Sequence, residues 1–220
     1  MRREIPSFVY DPALALYLPL WKRDGTSFIS DDAYGHLVTV TGATWGIQGR
    51  IVDGTDDFIS VPDNDIWDSA DFTLLIWTKQ NAFAGNYWQR AFIAHNTTGG
   101  AVNKWTFAHD GTTSVLTWVN GWPTNPTVLS DAWTLSAGVW YLIGLTRIGS
   151  AFTFYKDGVA NGTATNATAF PNIAQPLTIG WGEGTPKTYD GITGEVLMLS
   201  RGYTPAEVQN YTLATKWRYQ

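Results

Sequence analysis

The chain predicts an all-β domain, a two-sheet antiparallel β-sandwich of the jelly-roll kind, with one short helix near its C-terminus. Three observations carry that expectation. Aromatic residues fill 15% of the 220 positions, with 12 Trp, and strands favour such side chains. Glu, a good helix former, occurs four times against 15 Asp, which favours turns over helices. Apolar and polar positions alternate with a period of two over many short segments bounded by Gly, Asp and Asn. No linker, low-complexity tract or fixed-period repeat divides the chain, so residues 1–220 read as one domain. A chain of this length buries roughly 70% of its unfolded surface and needs no disulfide to hold a core.

Each element follows from local chemistry. Leu14, Leu16, Leu18 and Leu20 alternate as an opening strand, and Pro12 and Pro19 place it at an edge, where a missing N–H costs little. Residues 31–36 form a turn, and Leu37, Val38 and Val40 begin the next strand. A turn over 54–57 leads into a strand over 58–61, then a polar loop over 62–68. Strong alternation predicts a strand over 72–79, and shorter ones follow over 91–95, 105–108 and 115–119. Residues 140–147 and 151–155 form an antiparallel ribbon around Ile148-Gly149-Ser150, and Lys156-Asp157-Gly158 closes it with a turn that tolerates positive φ. Strands over 177–180 and 194–199 complete the set. The helix is predicted over 205–213: Thr204 caps it, Pro205 suits its first position, and Glu207 completes a capping box.

Charge and composition exclude several classes. The formal net charge is −5, and the 14 basic residues form no stripe able to neutralise a phosphate backbone, so nucleic acid is not an expected partner. No apolar run is long enough to span a bilayer. The N-terminal segment is interrupted by Glu4, Pro6, Asp11 and Pro12 and offers no small-residue cleavage site, so no signal peptide is read. Without Cys, neither a disulfide framework nor thiolate chemistry is available.

Recognition by aromatic platforms is the chemistry the residues favour. Sugar rings stack their C–H faces on Trp and Tyr, while Asn, Asp and Arg take the hydroxyls. The candidate ligand-binding residues are Tyr87, Trp88 and Arg90, together with Trp118, Asn120 and Trp122; Trp105, Trp181 and Glu183 can join them. Trp88, Trp122 and Trp181 are flanked by Asn, Gly and Pro, which places them at loops or strand ends. Trp77, Trp133 and Trp140 sit in alternating or apolar settings and read as core.

Four passages resemble the concanavalin A-like lectin/glucanase superfamily, in its laminin-G-like jelly-roll branch. They are the opening strand at 14–20, the run Asp53-Gly54-Thr55-Asp56-Asp57-Phe58-Ile59-Ser60-Val61-Pro62, the pair Trp140-Tyr141 with Tyr155-Lys156-Asp157-Gly158, and the ending from Gly191 through Glu195 to Val208. Thr193 and Gly194 depart from the pattern, which usually has Ile and Asp there. The resemblance implies a jelly roll that hosts lectins, glycosidases and virion parts alike. Its glycosidases carry acidic residues two apart on one strand face, and no such run exists here, so no enzyme is expected. It also implies a structural calcium, for which Asp31, Asp32, Asp56, Asp57 and Glu195 are the suppliers of hard oxygen ligands; the competing use of these Asp residues is turn capping.

Two function classes follow. One is a non-catalytic, lectin-like domain whose partner is a glycan. The other is a structural or assembly protein, such as a virion or surface-layer component, whose partners are other proteins or copies of itself. Both suit an extracellular or virion-surface location.

Overall fold

The computed structural model describes residues 7–81, 91–95, 105–110, 114–120, 127–169, 172–181 and 190–220. Sixteen strands, numbered β1 to β16 in chain order, form two antiparallel sheets among these residues. The first sheet runs β14 (Val159–Thr165), β13 (Ala151–Lys156), β12 (Trp140–Ile148), β7 (Phe72–Gln80), β16 (Asp190–Leu199), β5 (Gly49–Asp53) and β4 (Thr44–Gly46), with β1 (Leu14–Pro19) paired to the second half of β16. The second runs β11 (Thr127–Leu129), β10 (Val115–Asn120), β9 (Trp105–Asp110), β8 (Ala91–His95), β15 (Leu177–Ile179), β6 (Phe58–Val61), β3 (Leu37–Thr41) and β2 (Ser27–Ile29).

Two apolar layers follow from this arrangement. Between the sheets lie Leu16, Leu18, Leu74, Ile76, Ile143 and Val196 from one side and Val38, Ile59, Ile93, Phe107, Trp118 and Leu177 from the other. Behind the first sheet, Leu75, Trp77, Leu142 and Leu197 pack under the helix α1 (Pro205–Thr215) through Val208 and Tyr211. That double duty explains why β1, β7 and β16 are buried on nearly every residue instead of alternating with solvent.

The predicted two-sheet sandwich with a single C-terminal helix is the observed architecture. The helix opens as its sequence requires: Glu207 N donates to Thr204 Oγ1 at 3.3 Å, and Thr204 N donates to Glu207 Oε2 at 2.8 Å. In the second hairpin turn Asp157 has φ 50° and Gly158 φ 84°, the doubly positive pair of a type I′ turn. Gly158 serves twice, since a Cβ there would stand 2.7 Å from Thr212 Oγ1 of the helix.

Two local expectations are corrected. The loop over 62–68 contains a 3-10 turn, Asp65–Asp68, started by Asn64 Oδ1 accepting from Ile66 N, and it buries Trp67. In β1 the register slips between Leu14 and Leu16, so Leu14 joins the layer behind the sheet with Tyr17 while Leu16 and Leu18 face the other sheet. A bulge changes the parity of a strand, which simple alternation cannot see. The edge position of β1 holds: among the described residues it pairs only with β16.

Candidate functional site

Of the predicted ligand-binding indoles, Trp118 and Trp181 lie among the described residues, on opposite faces of the second sheet. Trp118 is 1% exposed and stacks on Trp105, with ring centres 4.8 Å apart and planes at 23°. Phe72 lies 5.0 Å from the Trp118 ring on the opposite sheet. Both indoles therefore belong to the core, and the expectation that they meet a ligand is corrected. The strand period carried the signal: Trp105 alternates with Thr106 before Phe107, as Trp118 does with Thr117 after Leu116, and Phe107 and Leu116 face inward. Trp77 is core as expected, whereas Trp133 and Trp140 are only half-buried.

Tyr87, Trp88, Arg90, Trp122 and Glu183 lie outside the described residues. The registers still fix where their segments join the sheet. β8 begins at Ala91, beside the end of β15 that leads to Trp181, because Ile93 pairs with Ile179. β10 ends at Asn120, paired with Trp105, which in turn pairs with His95 at the far end of β8. Ala91 and Asn120 thus lie at opposite ends of the second sheet.

Trp181 is half-buried and meets Phe58 edge-on at 4.9 Å. Phe58 alternates with the inward Ile59, so this aromatic pair stands on the outer face of the second sheet. Beside it runs a row of small and hydroxyl side chains fixed by register: Ser27, Thr39, Ser60 and Thr178 on neighbouring strands. Thr178 Oγ1 lies 3.1 Å from the Trp181 carbonyl and 3.2 Å from that of Ala94, which ties the indole's backbone to the sheet. An indole with flanking hydroxyls presents an apolar plate and polar atoms together, the pattern that holds a sugar ring.

Two concavities lie on the helix side. A cleft of about 480 Å³ is bordered by Tyr10, Asp11, Arg201, Tyr203, Glu207 and Asn210. Its cation is committed: Arg201 Nη2 reaches Asp11 Oδ2 at 2.6 Å and Glu207 Oε1 at 2.7 Å. Arg201 holds the Glu207 carboxyl down at about 2. The second, of about 350 Å³, lies between α1 and β12 and is lined by Trp140, Tyr219, Asp157, Gln209, Leu213 and Lys216.

The acidic residues divide by their partners. Glu195 is fully buried and accepts from Arg218 Nη1 at 2.6 Å, Tyr17 Oη at 3.0 Å, Trp21 Nε1 at 3.1 Å and Tyr211 Oη at 3.3 Å. Burial pushes its carboxyl up, and Arg218 and the hydrogen bonds pull it back. Asp31 accepts from Lys22 at 2.6 Å and Arg23 at 2.5 Å, and Asp32 caps the backbone N–H groups of Tyr17, Tyr34 and Gly35. These three residues are spent on protein donors and do not fit the expected calcium set. Asp53, Asp56 and Asp57 bring one oxygen of each within 4.8 Å of the others, with Asp53 Oδ1 accepting from Thr55 N at 2.8 Å, Asp57 Oδ2 from Asp53 N at 3.1 Å, and the second oxygen of each carboxylate left for a cation. Burial raises the Asp57 carboxyl, and the charges of Asp53 and Asp56 add to it. Asp53 was absent from the sequence-based set because its side chain closes on the pair only through the turn at Gly54, where φ is 79°.

Comparison with known proteins shows the same architecture elsewhere. Domain 4 of AbnA, an extracellular GH43 arabinanase of Geobacillus stearothermophilus solved with arabinotriose, superposes with a TM-score of 0.69 at 17% identity, over 90% of this chain and 98% of that one. Trypanosoma rangeli sialidase superposes with a TM-score of 0.70 at 16% identity, over 94% of this chain but 33% of that one. The receptor binding domain of botulinum neurotoxin D gives 0.69 at 12% identity, over 91% of this chain and 52% of that one. This chain thus spans about a third of the sialidase and half of the neurotoxin domain. At these identities the likeness is one of fold, which is shared by catalytic and binding proteins. No curated protein sequence matches. A family model does match over residues 53–209, from the Asp53 turn into α1, and on that match the chain belongs to the concanavalin A-like lectin/glucanases superfamily.

Proposed function

We propose that this domain is a non-catalytic carbohydrate-recognition module that meets its glycan on the outer face of the second sheet. The observation that carries the reading is Trp181, half-buried and set edge-on against Phe58 beside Thr39, Ser60 and Thr178. The disposition of the carboxylates supports a binding role over catalysis. Glu195, Glu207, Asp11 and Asp31 are held in ion pairs, a use that fixes structure and leaves no acid/base couple among them. Trp88, Trp122 and Glu183 stay proposed glycan contacts, on segments outside the described residues. A similar fold solved with arabinotriose makes short oligosaccharides the first probes.

A glycan array tests the reading. Retention of at least one oligosaccharide, lost in Trp181→Ala with an unchanged melting temperature, is the expected result. Silence across the array, or retention by Trp181→Ala, overturns it. Calcium is part of the same proposal through Asp53, Asp56 and Asp57, and a melting temperature that rises with calcium in the wild type but not in Asp56→Asn is the matching result.

A second reading, assembly with other protein chains, is favoured by the edge strand β4. Trp45 is 42% exposed there, and Ile47, at the following turn, 83%. Sedimentation of the wild type against Ile47→Lys decides it: a concentration-dependent oligomer lost in the variant supports it, and a monomer throughout removes it.

A further inference from the structure

Trp140 was expected in the core, and its half-buried place at the margin of the layer behind the first sheet exposes a second site. The indole is half-buried and faces the groove between β12 and α1. Its plane is fixed from behind: Nε1 donates to Gln48 Oε1 at 3.3 Å, and Gln48 Nε2 donates to the Arg218 carbonyl at 3.0 Å. From below it is braced by Tyr219, whose ring centre is 4.5 Å away at 45° and which stacks on Trp77 at 4.6 Å and 26°. Three rings thus form a rigid floor, ordered before any ligand arrives.

The walls supply polar atoms. Gln209, Leu213 and Lys216 recur along one side of the helix and its C-cap. Among the described residues, neither the Gln209 amide nor the Lys216 ammonium has an ion-pair or hydrogen-bond partner. Asp157 stands opposite, fixed by its turn: Leu142 N donates to Oδ1 at 2.9 Å, and Oδ2 is left for another donor. A donor, a two-way amide and an acceptor around an aromatic floor match the alternating hydroxyls and apolar faces of a pyranose. The volume, about 350 Å³, lies at the small end of ligand sites, which run from about 300 to 1,000 Å³.

We propose that the groove between α1 and β12 is a separate site for one pyranose ring, stacked on Trp140, with its hydroxyls held by Asp157, Gln209 and Lys216. The ordered floor lowers the cost of binding, because no aromatic side chain has to be immobilised on contact. The proposal takes its choice of probe from the carbohydrate reading but names a different surface from Trp181.

Indole N–H resonances in a nitrogen-15 spectrum of the full chain test it residue by residue. Trp140→Phe and Trp181→Phe assign the two signals. The probes are the methyl pyranosides of glucose, galactose, mannose, xylose and arabinose, each titrated to about 50 mM, which detects millimolar binding. The expected result is a saturable shift at Trp140 with at least one probe. Gln209→Ala and Lys216→Ala should each weaken that binding by about tenfold or more while leaving the melting temperature in place. A Trp140 signal that moves with no probe overturns the proposal, and so does an affinity unchanged in both variants. Movement at Trp181 alone refutes the groove and leaves the sheet-face reading standing. Movement at Trp140 alone supports the groove and refutes the sheet face for these sugars. Movement at neither refutes the groove and, for these sugars, the sheet face.

Discussion

Arg218 Nη1 lies 2.6 Å from Glu195 Oε1, so a cation near the end of the chain neutralises a fully buried carboxylate in the middle of β16. Tyr17 of β1 and Tyr211 of α1 donate to the same carboxylate, which joins the first strand, the last strand, the helix and the C-terminal turn at one point. Arg218→Ala should cost about 3–5 kcal/mol, because it strands a buried charge. Glu195→Gln should cost less, since the neutral amide keeps acceptor and shape. Urea unfolding of both variants checks the order, and equal costs would show that the charge is not what matters.

Gly194 sits against Tyr219: a Cβ there would stand 2.6 Å from the phenolic oxygen and 2.7 Å from Cζ. This accounts for the departure from the family pattern at that position, because the ring occupies the space a side chain would need. Gly194→Ala should destabilise by about 1–3 kcal/mol through overpacking. In a Tyr219→Leu background the penalty should shrink, and a double-mutant cycle by thermal unfolding measures the difference.

Asp68 gives a pH signature. Burial, and then the charges of Asp63 and Asp65, push its carboxyl up to about 6, and neither of its oxygens has a hydrogen-bond partner among the described residues. The unfolded value is near 3.9, so between the two values the folded state binds more protons than the unfolded state. Its contribution to stability is complete below about pH 4 and is lost as pH rises through 6. Glu207, held low by Arg201, works in the opposite sense, adding stability above about pH 4 that is lost as pH falls toward 2. The difference between wild type and Asp68→Asn therefore isolates the first effect: the wild type should gain relative to the variant as pH falls from about 6 to 4.

Trp118 separates packing from recognition. With its ring sealed against Trp105 and Phe72, Trp118→Ala should cost about 3–5 kcal/mol in chemical unfolding. A cost under about 1 kcal/mol would return Trp118 to the list of ligand contacts.

What was legible in the sequence is what local chemistry fixes. The Asp157-Gly158 turn, the Thr204 cap and the strands around them follow from φ preferences and capping geometry that need no tertiary context. The face a strand residue takes was less legible. At Leu14 a bulge reversed the parity, and Trp118, on the strand expected over 115–119, was grouped with Asn120 and Trp122 as a ligand contact although the alternation from Leu116 pointed inward. Trp140 was legible only in part: it packs against the layer behind the sheet through Tyr219, but at the first residue of β12 it is half-buried, and no local pattern encodes where that layer ends. The proposed sheet-face site was legible only at Trp181, since Trp118 entered the core, Asn120 ends β10 at the far end of the sheet, and the other ligand candidates belong to segments outside the described residues.

The three rings under the groove hang on the final few residues. Tyr219 supplies the middle plate, Arg218 the countercharge for β16, and the Arg218 carbonyl the anchor for Gln48. Cutting the chain after Lys216 would remove all three at once. Folding and sugar occupancy should then fail as a single event, so a saturating saccharide in the groove would hold residues 217–220 against local unfolding.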